Sequence, residues 1–332
     1  MKTSRDLNSE TETVVVDSAE LPAESLTIGE LGADRLEPQA RSQWQLFLRR
    51  FLRHRLAVTC LFVLVILYVV VLLSKQFAPE ALNPKSLPLS RANHGPSLAH
   101  WFGTDELGRD QTSRLMYACR LSMTIGVLVA VISTALGTLI GSAAGYFGGW
   151  VDQLLMRLTD LFLIVPGIAV IAMAQKGLQN KDLPIFGRLS SSTLIIGTLS
   201  LLFWQPIARV VRGLFLSIKE KEFVEAARAS GARSWRIMFR HILPNIVGPI
   251  AVNTTLVVGY AIVLESTLSF LGFGVQPPAI SLGAMLNQSE SAVGTRTAYL
   301  IYFPGLALLL IVLCVNFLGD GLRDAFDPQS RH

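Results

Sequence analysis

The side chains with the most scope for chemistry are concentrated in one stretch, EAARASGARSWRIMFRHILPN, from Glu225 to Asn245. It is basic and broken by a glycine, although the chain around it is apolar. It also places a glutamate before two alanines, and such small side chains let the cleft of a partner close around a helix. We expect this stretch to dock onto another surface. An ordinary cytosolic loop, basic only because of its location, is the alternative.

The local pattern predicts a helix, a sharp turn and a second helix. Helix-favouring residues run from Ile218 to Ser230, and Ser217 can cap their start. Gly231 lies where a residue of left-handed conformation would end that helix. Ser234 can cap a second helix that runs through His241, and Pro244 removes a backbone donor close to the next apolar segment.

A single acidic residue, Glu265, lies near the end of that apolar segment. An ionisable side chain at membrane depth costs a few kcal/mol unless it faces water or a partner. If the segment begins at Ile246, Glu265 lies about 28 Å along it, near the outer interface. It is then either a solvated interfacial carboxylate or a residue of a translocation pathway or gate.

Other chemistries find little support in the sequence. There is no GxxxxGK[ST] phosphate-binding loop, and no apolar segment pairs a nucleophile with a base. The three cysteines and five histidines are scattered, so neither a disulfide framework nor a zinc site is indicated. Basic and aromatic residues are not interleaved as in nucleic-acid-binding proteins. We therefore expect no enzyme activity, no metal or cofactor in this chain, and no nucleic-acid partner.

The elements around these residues are predicted to be membrane helices. The chain is 51% hydrophobic and only 16% charged, which is typical of a polytopic membrane protein. The fold class is therefore all-α, with six spans. Three glycines of the second span, four residues apart, would let another helix approach closely; they are Gly137, Gly141 and Gly145. The predicted spans cover residues 56–73, 121–145, 158–175, 191–210, 246–267 and 298–318.

Two segments precede the first span. Residues 1–40 hold nine acidic residues and few large apolar ones, which predicts a disordered cytosolic tail. Residues 41–55 form a basic amphipathic pattern that predicts a helix lying in the membrane interface, or else a cytosolic extension of the first span. One helical face of this segment carries Trp44, Phe47, Leu48, Phe51 and Leu52.

The basic residues predict the orientation. With the amino terminus inside the cell, 19 of the 29 lysines and arginines lie in the cytosol. Both termini and the loop over 217–245 are then cytosolic, and residues 74–120 form an extracytoplasmic loop. This loop is either solvated or a structured cap, because charged residues can pair locally around Gly108; they are Asp105, Glu106, Arg109 and Asp110. Arg157 and Asp160, three residues apart, are expected to form another local ion pair.

The docking stretch also resembles a known motif. Its spacing runs Glu225-Ala226-Ala227, three residues, Gly231, nine residues, then His241-Ile242-Leu243-Pro244. This is similar to the EAA loop of ABC importer permeases, although isoleucine often stands in place of His241. Over roughly residues 46–328 the chain resembles the C-type permease subunit of dipeptide and oligopeptide importers. The segments that carry this resemblance are HWFGTDELGRDQTSRLMYACRLS, YFGGWVDQLLMRLTDLFLIVP, ESTLSFLGFGVQPP and LGDGLRDAFDP.

The resemblance implies a type I ABC importer permease (MetI-like) fold in the cell membrane. Its core would cover 121–320, followed by a cytosolic tail over 321–332. A second homologous permease would complete the pathway, and two ABC ATPase subunits, or one fused ATPase, would bind ATP and Mg²⁺. An extracytoplasmic binding protein would deliver peptide, and lipid would surround the spans. The residues implied to couple to the ATPases are Glu225, Ala226, Ala227, Arg228, Gly231, Arg233 and Pro244.

Three alternatives stay open. The same architecture could import nickel or glutathione, since those importers share the motifs. A secondary transporter or channel acting alone would predict inverted repeats with broken helices, and no such internal symmetry is visible. An intramembrane enzyme would need a catalytic constellation that the spans do not show.

Overall fold

Helices dominate the structure, a computed structural model that describes residues 43–73, 89–164, 167–178 and 190–326. The all-α class is confirmed: in these ranges extended pairing is limited to an isolated bridge between Thr104 and Asp110. The predicted tail over 1–40 lies outside the described residues. In chain order the helices are α1 (Gln43–Arg53), α2 (Arg55–Leu72), α3 (Gln111–Phe147), α4 (Gly149–Ile164), α5 (Gly167–Leu178), α6 (Ser191–Ile218), α7 (Glu222–Ala229), α8 (Ser234–Phe270), α9 (Leu282–Gln288) and α10 (Tyr299–Phe326).

Five of the described helices, α2, α3, α6, α8 and α10, are long and apolar enough to cross a membrane. They correspond to all the predicted spans except the third. That span, at 158–175, falls on α4 and α5, which are shorter. Both helices run alongside α6: Asp152 of α4 pairs with Arg212, and Gly167 of α5 lies against Leu202. Their course along α6 is consistent with a sixth crossing.

The glycine stripe of α3 lies against α6. A Cβ on Gly137 would lie 2.7 Å from the Cβ of Ile207, and a Cβ on Gly145 would lie 2.6 Å from the Cβ of Phe215. Gly141, between them, lies closest to the carbonyl oxygen of Ala208. Later residues of α3 contact later residues of α6, so the two helices run parallel. The sequence predicted close packing here, and the structure identifies the partner helix.

Four elements meet at one end of the bundle. Phe326, the last residue of α10, stacks on Phe47 of α1 with ring centroids 4.1 Å apart. The ring of Phe326 also packs against Gly248, in the first turns of the membrane segment of α8. Because α7 immediately precedes α8, the docking stretch lies at the same end as α1 and the end of α10. This is the arrangement that alternating spans require.

The second span begins earlier than predicted. Helix α3 starts at Gln111, ten residues before the predicted start of 121–145. The cause is Asp110, whose carboxylate caps the helix by accepting the backbone N–H of Ser113 at 2.7 Å. The predicted loop over 74–120 therefore ends at residue 110.

Other boundaries shift for related reasons. Helix α10 runs to Phe326, so the predicted tail over 321–332 begins inside a helix. The aromatic contact between Phe326 and Phe47 gives this last turn a packing partner. The predicted segment over 41–55 contains α1, which is separated from α2 by the non-helical residue His54. Its location in the membrane interface stays a prediction.

Candidate functional site

The docking stretch forms a short helix, α7, between two long ones. Lys221 occupies the cap position before α7 without a side-chain hydrogen bond. The prediction that Ser217 caps this helix is wrong, because Ser217 lies inside α6, which continues to Ile218. Phe215 and Ile218 pack in the apolar cluster that also contains Val224 of α7, and this packing favours the extra turn of α6.

Helix α7 is anchored on one side and exposed on the other. Val224 is fully buried, whereas Phe223 is 43% exposed. Glu225 and Ala226 lie on the exposed side, and Ala227 is half-buried. A partner can therefore reach the glutamate and the first alanine without unfolding α7, while the alanine nearer the bundle supports the helix.

Gly231 ends α7 in the conformation predicted from the sequence. Its φ of 77° lies in the left-handed region. The N–H of Gly231 donates to the carbonyl of Arg228 at 3.0 Å, and the N–H of Ala232 donates to the carbonyl of Ala227 at 3.1 Å. These two bonds define a Schellman motif. Apart from the chain neighbours of Gly231, none of the described residues places an atom within 4 Å of where its Cβ would be, so the need for glycine there is conformational.

The second predicted helix is part of a longer one. Arg233 holds the cap position, and Ser234 is the first helical residue, so the prediction that Ser234 is the cap is wrong. Instead of ending before Pro244, the helix continues to Phe270 through a π-helical turn over Ile237–Ile242. A wider turn is one way for a helix to continue past a proline that lacks a donor. The second half of the docking stretch is thus the first part of α8, and only the turn over residues 230–233 separates it from α7.

Glu265 lies inside the protein, so the alternative of a solvated carboxylate is wrong. Its side chain is 0% exposed. Three serine hydroxyls donate to the carboxylate: Ser122 of α3 at 3.0 Å, Ser269 at 2.7 Å and Ser266 at 3.4 Å. Burial follows from the chain after α8, which folds back so that α9 packs on α8. A role for Glu265 in the pathway stays a prediction.

The Glu265 carboxylate also helps to hold in place the chain after α8 that covers it. The Ser122 hydroxyl accepts the N–H of Leu282 at 3.2 Å, and the Ser269 hydroxyl accepts the N–H of Val275 at 3.1 Å. Because both hydroxyls donate their protons to Glu265, the lone pairs of their oxygens can accept hydrogen bonds from these two backbone N–H groups. Neither serine was predicted from the sequence. The signal that could have found Ser122 is a polar residue facing inward in a charge-free span.

A buried ionic network holds the segment before α3. Asp105 accepts a hydrogen bond from Arg109 Nε at 2.7 Å and another from Arg114. Arg114 also donates to the side chain of Gln288 at the end of α9. Gly108, with a φ of 74°, closes the turn between the paired residues. The described residues of this loop therefore form a structured cap, and Arg114 links it to α9, a contact that local spacing did not predict.

Two further ion pairs join α4 to α6. Asp152 accepts two hydrogen bonds from Arg212, at 2.5 and 2.6 Å, and these bonds lower the pKa of the Asp152 carboxyl. Asp160 accepts from Arg209 at 2.6 Å. The expected pair between Arg157 and Asp160 within α4 is wrong, because the facing helix offers Asp160 a nearer guanidinium.

Comparison with known families agrees with this architecture. The family described as "Binding-protein-dependent transport system inner membrane component" matches residues 137–332. The "N-terminal TM domain of oligopeptide transport permease C" matches residues 42–96. The chain therefore belongs to the inner membrane components of binding-protein-dependent transport systems, and the predicted permease fold is confirmed at this level.

Curated relatives cover nearly the whole chain. The glutathione transport system permease protein GsiD of Pectobacterium atrosepticum is 38% identical over 303 residues, which is 89% of this chain and 94% of the relative. The oligopeptide transport system permease protein OppC of Mycobacterium tuberculosis is 39% identical over 293 residues, 87% of this chain and 96% of the relative. A GsiD permease of Escherichia coli is 40% identical over 298 residues, 88% and 93% of the two chains. The resemblance to peptide-importer permeases is thereby confirmed.

Proposed function

We propose that the chain is a permease subunit of an ATP-driven ABC importer that takes up peptides. The observation that carries this proposal is α7, an exposed helix held between two long apolar helices in a member of this transport family. The sequence has no phosphate-binding loop, so the energy comes from partners. ATP and Mg²⁺ are bound by two cytosolic ATPase subunits or one fused ATPase, and this chain is not itself an enzyme.

The exposed side of α7 is the surface that enters the cleft of an ATPase. When the ATPases close, the force passes from α7 through the glycine turn into α8, which continues without a break to Phe270. The buried anchor Val224 makes α7 move with the bundle, and the glycine turn fixes its direction. The residues assigned to this coupling are Glu225, Ala226, Ala227, Arg228, Gly231, Arg233 and Pro244.

One face of α8 supplies half of the translocation pathway. Asn253, Tyr260 and Thr267 are seven residues apart, so they lie in one row along the helix. Tyr260 is 62% exposed, Thr267 is exposed and Asn253 is half-buried. Polar groups at membrane depth favour water or a protein partner over lipid. A second homologous permease faces this row, and Glu265, about 140° away around the helix from Tyr260, acts on the pathway indirectly by fixing the covering segment.

The orientation follows from charge and from the shared end of the bundle. Both termini and α7 lie in the cytosol, where the positive-inside rule places the arginines of α1 and the docking stretch. The cap over 89–110 then lies outside the cytosol, where the binding protein delivers its cargo. Lipid surrounds the remaining faces.

Peptides are the substrate class that the relatives favour. The names of the relatives specify oligopeptide and glutathione transport. Glutathione is itself a tripeptide, so it is the second candidate for this chain. Comparing uptake of labelled glutathione with uptake of labelled oligopeptides by the assembled importer distinguishes the two.

The coupling proposal is tested by Gly231→Val in the assembled importer. We expect lower peptide uptake and less co-purified ATPase at a normal membrane level, because valine disfavours the left-handed conformation by roughly 1–2 kcal/mol. Gly294→Val is the matched control: φ is 75° there, and again no described residue beyond its chain neighbours comes within 4 Å of a Cβ.

Two results would oppose the proposal. If Gly231→Val and Gly294→Val changed ATPase retention equally, the docking stretch would serve only to set the topology of the chain. Peptide uptake by the chain reconstituted alone, without ATP, would favour a channel or secondary transporter.

A further inference from the structure

Helix α1 is clamped onto the end of α10. Phe51 is 6% exposed and lies in an apolar cluster with Ala57 and Ala325. Phe47 stacks on Phe326 at a centroid distance of 4.1 Å. One side of α1 is therefore fixed to the bundle by aromatic packing, which is a different use of these residues from the membrane insertion expected of them.

The clamp extends to the start of α8. A Cβ on Gly248 would lie 2.5 Å from Cδ1 of Phe326, so this ring fills the space beside the glycine. At the junction between α1 and α2, His54 Nε2 lies 3.5 Å from the Asp324 carboxylate. A row of contacts thus runs from α1 through Phe326 to Gly248 of α8, six residues beyond the π-helical turn in the docking stretch.

Next to the packed phenylalanines, about 100° around the helix, α1 exposes leucines, and a further 100° around it exposes arginines. Leu48 is 55% and Leu52 is 58% exposed, and Leu56 at the start of α2 is 60% exposed. Arg49 and Arg53, also exposed, are four residues apart like the two leucines of α1 and form a row beside them. No acidic residue lies within α1. The surface therefore carries a row of leucines beside a row of positively charged arginines.

We propose that this surface binds anionic phospholipid and that the bound lipid holds the contact between α1, α10 and α8 beside the docking stretch. Lipid fits better than a protein partner because α2, which follows α1 directly, also exposes apolar side chains, such as Phe62 at 64%. Arginines beside such a face attract the negative headgroups of the cytosolic leaflet. The binding itself is independent of the proposed function, whereas the effect on the docking stretch rests on it.

The binding is tested with the purified full-length chain by native mass spectrometry, titrating phosphatidylglycerol against phosphatidylcholine of the same acyl chains. We expect the parent to prefer phosphatidylglycerol. Each arginine removed in R49Q and R53Q should lower that affinity about fivefold, with phosphatidylcholine binding unchanged. Arg49→Lys with Arg53→Lys should keep most of it, because charge is kept.

Arg296→Gln is the control, since this exposed arginine lies between α9 and α10, away from α1. No preference for phosphatidylglycerol in the parent, or an equal loss in R296Q, would overturn the lipid site. A co-purifying protein that covers Leu48 and Leu52, with no lipid preference, would replace lipid by a protein partner.

The link to coupling is tested in the assembled importer in nanodiscs of phosphatidylcholine with and without phosphatidylglycerol. Phosphatidylglycerol should raise peptide-stimulated ATPase activity in the parent. Phe47→Ala should abolish this dependence while the chain keeps its lipid affinity, because the stacking on Phe326 is lost. An unchanged dependence in F47A would refute the link even if the lipid site and the importer function both stand.

Discussion

Replacing Gly137 by alanine should separate α3 from α6. The new Cβ would lie 2.7 Å from both the Cβ of Ile207 and the carbonyl oxygen of Trp204, whereas ordinary contact begins at 3.4 Å. The helices must therefore move apart by about 0.7 Å, against a backbone atom that cannot rotate away. Overpacking of this kind costs about 1–3 kcal/mol, so the thermal stability of G137A should fall.

Gly197→Ala is the matched control. Gly197 lies within α6, but in the described part of the chain no atom outside the local backbone of α6 comes within 4 Å of its Cβ position. Alanine there should be neutral or should stabilise the helix by up to about 1 kcal/mol, the difference in helix propensity. Stability is measured as the folded fraction that survives heating, by fluorescence-detected size-exclusion chromatography. Equal stability of G137A and G197A would refute the packing of α3 on α6.

Three other predictions concern orientation, burial and ionic contacts. An impermeant thiol reagent should label Ser97→Cys from outside the cell and Ser234→Cys only from the cytosol; labelling of position 234 from outside would reverse the orientation. Glu265→Leu should destabilise the chain by about 1–3 kcal/mol per serine left unpaired, and Glu265→Gln by less, both read by thermal stability; equal effects would contradict the hydroxyl network. The lowered pKa of Asp152 means that its contact with Arg212 stabilises the fold fully above the ordinary carboxyl pKa of about 4 and is lost as the pH falls through the lower, folded-state value. The stability difference between the parent and Asp152→Asn should therefore shrink in acid, and a difference that grows would count against the pair.

Hydrophobic runs and the glycine turn were predictable because they depend on local chemistry. The apolar lengths located the long helices, and the left-handed conformation of Gly231 followed from its position after a helix-favouring run. The ends of the helices were less predictable. Asp110 begins α3 early through a cap, and the packing of Phe215 carries α6 past Ser217. Nothing in the spacing of charges shows that Asp160 meets a residue from another helix.

The buried site shows the same limit. The sequence places Glu265 near a membrane interface but does not show that the chain folds back to cover it. Ser122 and Ser269 lie 147 residues apart in sequence and meet at the same carboxylate. Similarly, the pattern of α1 predicts an apolar face but not that Phe47 and Phe51 pack on the end of α10 while the leucines stay exposed. Such contacts depend on the tertiary arrangement of the helices.

The most direct test of the central claim is photo-crosslinking from α7. Benzoylphenylalanine in place of Phe223, which is 43% exposed, should capture an ABC ATPase subunit of the importer, identified by mass spectrometry. The same probe in place of Val293, 61% exposed beyond α9, should capture none. Capture of the ATPase from position 293, or its absence at position 223 in an importer that transports peptide, would contradict the assignment of α7 as the docking helix.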